Sequence, residues 1–234
     1  MGDMGTEDAF RQSPAPGQAI VAFDFDGTLT VRDSFTAFLK WKVGPERWRT
    51  GLLAMAPQLA AYAVDRDRQK LKEAAVRRFM PYTSPVALAV EAEQFARERW
   101  DGLMRPDALR VWEDWGRRGA HRAIVTASPA LTVRAFAERL GADTLLGTDL
   151  VIGDKGWFTG AFEGDNCRGE EKVRRLRAAF GPEVRLAAAY GDTSGDTEML
   201  AIADIAGFRV FKERPATRAG AARARRRSAG SPTS

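Results

Sequence analysis

The chain has 234 residues and a hydrophobic fraction of 44%, enough for one large domain or one domain with a sizeable insertion. One cysteine excludes an internal disulfide framework, and one histidine, His121, argues against a histidine-built metal site or a Ser-His triad. The net charge of +5 is local: residues 209–234 hold eight Lys/Arg against one Glu, so the rest of the chain sums to −2.

Residues 1–17 carry neither a basic segment nor an apolar core, so they read as a disordered leader rather than a secretory signal. Residues 20–25 (IVAFDF) read as a buried strand that stops at Gly27. Residues 33–105 are rich in Ala, Leu, Arg, Glu and Trp. Their apolar spacing is near 3.6, as in Phe35/Phe38/Leu39 and Leu71/Ala74/Ala75/Phe79. This predicts about four helices, with breaks near Gly44-Pro45, Asp65-Arg66 and Pro81–Pro85. Within them, residues 51–64 (GLLAMAPQLAAYAV) are apolar apart from Gln58. That length suits a helix buried in the protein, or one lying in a membrane interface, better than a spanning one.

After Pro106 the pattern alternates between helix and strand. Helix is expected over 107–118, 130–140, from about 169, and over 197–203. Strands are expected over 122–125 and 184–190, with a hairpin over 145–162 and a last edge near 204–207. The alternation predicts an α/β fold: a parallel sheet with helices on both faces, interrupted after its first strand by an all-helical insertion. Residues 215–234 read as a low-complexity, disordered basic tail. No aromatic residue interleaves with its arginines, so no specific nucleic-acid partner is expected. No apolar run is long enough to span a bilayer, and the chain reads as cytoplasmic, with peripheral membrane contact left open.

Three segments share one design, an apolar strand with polar residues at its carboxyl end. They are VAF-Asp24-Phe-Asp26, AIV-Thr126-Ala-Ser128 and LAAAY-Gly191-Asp192. Ligands of open α/β sheets bind at such ends. Asp24 and Asp26 leave the same side of an extended backbone, and two close carboxylates persist only beside a cation or by sharing a proton. Asp192 and Asp196 in GDTSGDTEML add further carboxylates, and oxygen ligands of this kind suit Mg²⁺. Singly, each acid is an ordinary turn residue; the three strand ends together point to a site. Ser128-Pro129 reads as an N-cap and first helical residue, which puts Thr126 ahead of a helix N-terminus that favours an anion. Lys172 falls in the first turn of an amphipathic helix, and Asp33 stands where it would cap a helix over 34–43.

DFDGTLT, the Thr126 segment, Lys172 and GDTSGD, in that order, resemble the four motifs of the haloacid dehalogenase superfamily. The likeness covers a core of residues 18–32 and 106–214. The helical block 33–105 is similar to the C1 cap of subfamily IB, which includes phosphoserine phosphatase-like enzymes. Residues 33–39 (DSFTAFL), 126–129 (TASP), Gly156-Trp157 and 167–172 (CRGEEK) are similar to phosphatidylglycerophosphatase C and CicA-like hydrolases.

The resemblance implies a Mg²⁺-dependent phosphomonoester hydrolase working through an aspartyl-phosphate. Asp24 would be the nucleophile and Asp26 the acid/base. Thr126, Ala127 and Lys172 would hold the phosphate, and Lys172 would also neutralise charge during catalysis. Asp24, the backbone of Asp26 and Asp192 would hold the metal, with Asp196 behind them and Asp33 a candidate substrate contact in the cap. A phosphatidylglycerophosphate-like ester is the favoured substrate. A phosphoserine phosphatase-like activity and a non-catalytic phospho-ligand or membrane-binding module are the alternatives.

Overall fold

The computed structural model describes residue 10 and residues 13–216. The expected leader and basic tail lie largely outside these residues. Six strands form one sheet: β1 (Ile20–Phe23), β2 (His121–Pro129), β3 (Thr144–Ile152), β4 (Phe158–Glu163), β5 (Leu186–Gly191) and β6 (Ala203–Phe208). Their order is β4-β3-β2-β1-β5-β6. All neighbours are parallel except β3 and β4, the expected hairpin. β1 therefore lies between β2 and β5, with the later strands added outward on either side. That reversal opens a crevice at the carboxyl end of β1.

Alternation along β1 divides the core between the two faces of the sheet. Val21 and Phe23 point into a cluster with Trp112 and Phe136, while Ala22 points into a second cluster with Leu176 and Met199. The first face is covered by α5 (Pro106–Arg117) and α6 (Ala130–Leu140), the second by α7 (Glu170–Phe180) and α8 (Thr197–Ala201). Phe23 stacks on Tyr190, with ring centroids 4.5 Å apart, and meets Trp112 edge-on at 5.1 Å.

Between β1 and α5 run four helices: α1 (Ser34–Ala54), α2 (Ala56–Asp65), α3 (Arg68–Phe79) and α4 (Pro85–Leu103). The chain segments that enter and leave this block are tied side by side. Val31 N–H donates to Leu103 O (2.9 Å) and Arg105 N–H to Leu29 O (2.8 Å). α4 packs on α6 through Phe95 and Trp100, each 5.9 Å from the Phe136 ring. The expected break at Gly44-Pro45 is a kink inside α1, where only Gly44 leaves helical geometry (φ 75°, ψ 169°) and Pro45 restarts it. A further break comes at Met55, and the expected break at Asp65-Arg66 is present, Arg66 taking a left-handed conformation (φ 57°) before α3.

The segment 51–64 corrects the buried-helix expectation in its second part: Gly51 and Met55 are buried, but α2 is not. α2 contains no buried residue; Leu53 is 77% exposed and Val64 87% exposed. An apolar run without polar interruption gives no period, so it cannot tell which side, if any, meets the core. Among the described residues, no helix is long and apolar enough to cross a membrane.

Candidate active site

The three strand ends singled out in the sequence converge. Asp24 follows β1 directly, and its N–H donates to Tyr190 O in β5 (2.8 Å). The chain then turns tightly through Phe25–Leu29, where Gly27 adopts φ 85°. The φ of Gly27 disfavours any side chain, and an added Cβ would lie 2.2 Å from Asp192 Oδ2 and displace that carboxylate.

Lys172 reaches the same point from α7. Gly169 (φ 63°) precedes that helix, and its N–H donates to Gly195 O (2.8 Å), which ties the start of α7 to the loop after β5. Arg168 adds bonds to Thr193 Oγ1 (3.2 Å) and Ser194 Oγ (2.9 Å). The Lys172 ammonium is only 1% exposed and spends its three hydrogens on Asp24 Oδ1 (2.6 Å), Asp196 Oδ1 (2.7 Å) and Val125 O (2.6 Å). Burial pulls its pKa down, but the Asp24 and Asp196 carboxylates outweigh that and hold it above the ordinary lysine value.

Asp196 is saturated. Its Oδ2 accepts from the Asp192 N–H (3.1 Å), the Thr193 N–H (2.9 Å) and the Thr193 hydroxyl (3.1 Å), with Lys172 on the other oxygen. Burial opposes its charge, but Lys172 and these donors lower its pKa below the usual range. Asp196 thus organises the loop and holds the lysine. Asp192 is the opposite case. Its Oδ1 is buried and finds no hydrogen-bond partner among the described residues, while burial and Asp196 raise its pKa. Ligand atoms of Asp24, Asp192 and Asp196 lie within 4.8 Å of one another. A carboxylate oxygen orphaned beside two further carboxylates fits a hard divalent cation. Asp24 and Asp192, with oxygens to spare, are better placed to hold it than Asp196.

Asp24 itself is 7% exposed. Burial pushes its carboxyl up to about 7 against the pull of Lys172, with Asp196 and Asp26 adding to the rise. Its second oxygen, Oδ2, has a single long contact with the Thr28 hydroxyl (3.4 Å).

Asp26 turns to different partners. Oδ1 accepts from the Ser34 N–H at the start of α1 (2.6 Å), and Oδ2 from the Ser128 hydroxyl (2.5 Å). Its pKa is raised, first by burial and then by Asp33. Ser128 therefore does not cap α6 as the sequence suggested. It stays in β2, and its hydroxyl is spent on Asp26 instead of a helix N–H. Thr126 is fully buried and accepts from the Ser128 N–H (3.1 Å). Asp33 caps α1, accepting from the Thr36 N–H (2.6 Å).

Sequence reasoning missed Lys72. It projects from α3 and donates to Ala127 O (2.7 Å), beside Thr126. Burial lowers its pKa, against Asp33, Asp26 and Asp24, which all raise it. In RQKLKEAAVRRF it is one cation among five, and only the packing of α3 against the sheet edge distinguishes it. Ser34 and Ser128 were missed as partners of Asp26: Ser128 is 102 residues away, and Ser34, though eight residues away, meets Asp26 only through the turn after β1.

Beside this centre lies a cleft of about 710 Å³ between the helical block and the core loops. Arg68 and Gln69 line it, one helical turn before Lys72, as do Gly169 and Glu171, just before Lys172.

The match to known proteins agrees with this arrangement. Protein CicA of Caulobacter vibrioides is 57% identical over 197 residues, covering 84% of this chain and 88% of that protein. Among solved structures, a protein of unknown function from Bordetella pertussis Tohama I superposes with a TM-score of 0.65 at 23% identity, covering 79% of this chain and 86% of that one. A phosphoserine phosphohydrolase-like protein from Francisella tularensis gives 0.55 at 14% identity, covering 82% and 86%. These two likenesses concern the fold. The family model of haloacid dehalogenase-like hydrolases matches residues 21–201, the span that carries every strand end, the buried lysine and the acid cluster, and the chain belongs to that family.

Proposed function

We propose that this hydrolase cleaves phosphomonoesters through an aspartyl-phosphate on Asp24, with Mg²⁺ as its cation. The observation that carries the reading is the buried Lys172 bridge. It fixes Asp24 Oδ1 and leaves Oδ2 with one long contact, so a lone pair is available for phosphorus. In the first step Asp24 Oδ2 attacks phosphorus in line and the bond from phosphorus to the alcohol oxygen breaks. Asp26, whose pKa is raised by burial and by Asp33, gives a proton to the departing alkoxide. In the second step water attacks the phosphorus of the aspartyl-phosphate, Asp26 takes back a proton, and Asp24 is released with phosphate.

Lys172 neutralises charge on Asp24 and the transferring group, and Thr126 with the Ala127 backbone holds phosphoryl oxygens. Asp24, Asp192 and the Asp26 backbone would hold Mg²⁺, which supplies positive charge that offsets the repulsion between carboxylate and phosphate. The helical block 33–105 acts as a cap over the site. Lys72 is its contribution, a cation held against Ala127 with hydrogens left for a substrate oxygen. The alcohol we assign is lipid-linked, of the phosphatidylglycerophosphate kind, because the apolar helix α2 has no buried residue and its Tyr62 lines the cleft.

The test is turnover of a generic aryl phosphate. Asp24→Asn should abolish it with circular dichroism unchanged, and EDTA should stop the wild type until Mg²⁺ is restored. A mutant as active as wild type would refute the assignment. Ranking phosphoserine, sugar phosphates and phosphatidylglycerophosphate by kcat/KM tests the alcohol, and a preference for phosphoserine overturns the lipid assignment.

A further inference from the structure

We infer that α2 docks the protein on the surface of an anionic phospholipid bilayer. Of its ten residues only Gln58 and Asp65 are polar, yet none is buried. A helix on a water-facing surface normally buries an apolar stripe. Here Leu59 is 38% exposed and Val64 87%, and Leu53 at the end of α1 extends the patch at 77%. Large exposed apolar side chains on a short apolar helix and beside its start mark an interaction surface.

The rim of the patch identifies the partner. Arg47, Arg49, Arg66 and Arg68 are all exposed on its two flanks, and none takes part in an ion pair among the described residues. Of the nearby acids Asp65 and Asp67 face Lys70, at 3.9 and 3.0 Å, while Glu46 beside Arg47 is exposed, so the rim carries more unpaired arginines than unpaired acids among the described residues. Unpaired arginines around an apolar helix match anionic headgroups, which accept charge while the apolar side chains enter the acyl boundary. A second copy of the chain fits less well, because a two-fold pairing of this face would set arginines against arginines. Ten residues span about 15 Å, too short to cross and sufficient to lie in the interface plane.

The placement also serves the site. Tyr62 and Arg66, at the far end of α2, form one wall of the cleft that leads by way of Arg68 toward Lys72. A protein seated on α2 has its cleft mouth at the headgroup level, where a phosphate ester carried on a lipid would enter. That use rests on the hydrolase reading above; the docking does not.

Co-sedimentation of the full chain separates the two. The probes are vesicles of phosphatidylcholine alone and of phosphatidylcholine with about 30% phosphatidylglycerol. Wild type should pellet with the anionic vesicles, less at high salt, and little with the neutral ones. The triple variant Leu53→Asp, Leu59→Asp, Val64→Asp should bind at least about tenfold more weakly. Its melting temperature and its turnover of a water-soluble aryl phosphate should be unchanged. Wild type remaining in the supernatant overturns the docking. So does a triple variant that binds as wild type does, which would place binding elsewhere, for instance in residues 217–234. A wild-type dimer that the variant converts to monomer, without vesicle binding, overturns it in favour of self-association. Vesicle binding by a protein that cleaves no phosphomonoester supports the docking and refutes the hydrolase reading alone.

Discussion

Lys172→Met is the most informative perturbation of the site. It removes an ammonium buried against two carboxylates at 2.6 and 2.7 Å and a carbonyl at 2.6 Å, and replaces it with an apolar chain of similar length. At an effective dielectric of about 20, each ionic contact at such a separation is worth roughly 6 kcal/mol before desolvation. The desolvation of three buried ions offsets most of this. The measurable loss on breaking a buried pair is about 3–5 kcal/mol, because the remaining charges stay buried without a partner. For a chain of this size that is a fall in Tm of about 10 °C.

The pH dependence makes the reasoning refutable. In wild type the Asp196 pKa is depressed, so its contribution is present above the usual carboxylate range and lost as pH falls through the lowered value. In the variant, Asp24 and Asp196 lose their cation and their folded-state pKa values rise. Wild-type Asp24, raised to about 7, already makes stability fall as pH rises toward that value; in the variant both carboxyls hold protons that the unfolded chain has released, over a wider range, so its stability falls further as pH rises. The stability gap between the two proteins should therefore shrink between about pH 8 and about pH 5. Urea denaturation at several pH values, without divalent cations, reads it directly. A gap below about 1 kcal/mol at pH 8, or one that does not change with pH, would show that Lys172 does not hold charged carboxylates together.

Three further outcomes are expected. Asp26→Asn should slow hydrolysis of alkyl phosphates by roughly 10²–10⁴-fold and that of a good aryl leaving group much less, since only the former needs the proton; equal losses in kcat would remove Asp26 as the acid. Gly27→Ala forces a positive φ on a side chain and drives its Cβ to 2.2 Å from Asp192 Oδ2, so the Mg²⁺ concentration for half-maximal activity should rise, and an unchanged titration would exclude Asp192 as a metal ligand. His121, 2% exposed with its Nε2 2.8 Å from Thr144 Oγ1, has its pKa lowered by burial. The unfolded chain therefore binds the proton first and stability declines as pH falls below about 6.5. The single histidine signal in proton NMR should titrate below that value, and a midpoint above it would contradict the burial.

The core was largely legible because its signals are local and repeated. Apolar strands end in acids, and amphipathic helices follow them; helix 130–140 appears with the expected limits. The convergence of Asp24 and Asp192 could be anticipated because both sit at strand ends that a parallel sheet gathers at one edge, whereas Lys172, by itself an ordinary surface lysine, was placed there only by the family resemblance. Choices decided by partners distant in sequence were not legible. Ser128 before Pro129 has every local mark of a helix cap, but Asp26, 102 residues away, supplies a carboxyl acceptor at 2.5 Å and takes its hydroxyl. Lys72 has no local signal at all. The exposure of α2 was hidden because uniform apolarity looks the same whether a helix is enclosed or projects.

Asp26 carries the link between the cap and the chemistry. Its carboxylate is divided between two parts of the chain, with Ser34 N–H from the first turn of α1 on one oxygen and Ser128 from β2 on the other. The helix N–H favours the charged form. Burial and Asp33, which caps the same turn, favour the protonated form and prevail. The balance depends on how closely the start of α1 sits over the sheet. Lys72, from another helix of the block, bonds Ala127 one residue before Ser128 and counters the charge of Asp26 and Asp33. A shift of the helical block away from β2 would loosen the Ser34 and Lys72 contacts together and admit water to Asp26. The proton would then be held less firmly at the oxygen that needs it. On the proposed reading, in which Asp26 is the acid, a block of helices that supplies no nucleophile and no metal ligand would in this way decide when the acid is ready and tie turnover to closure over the substrate.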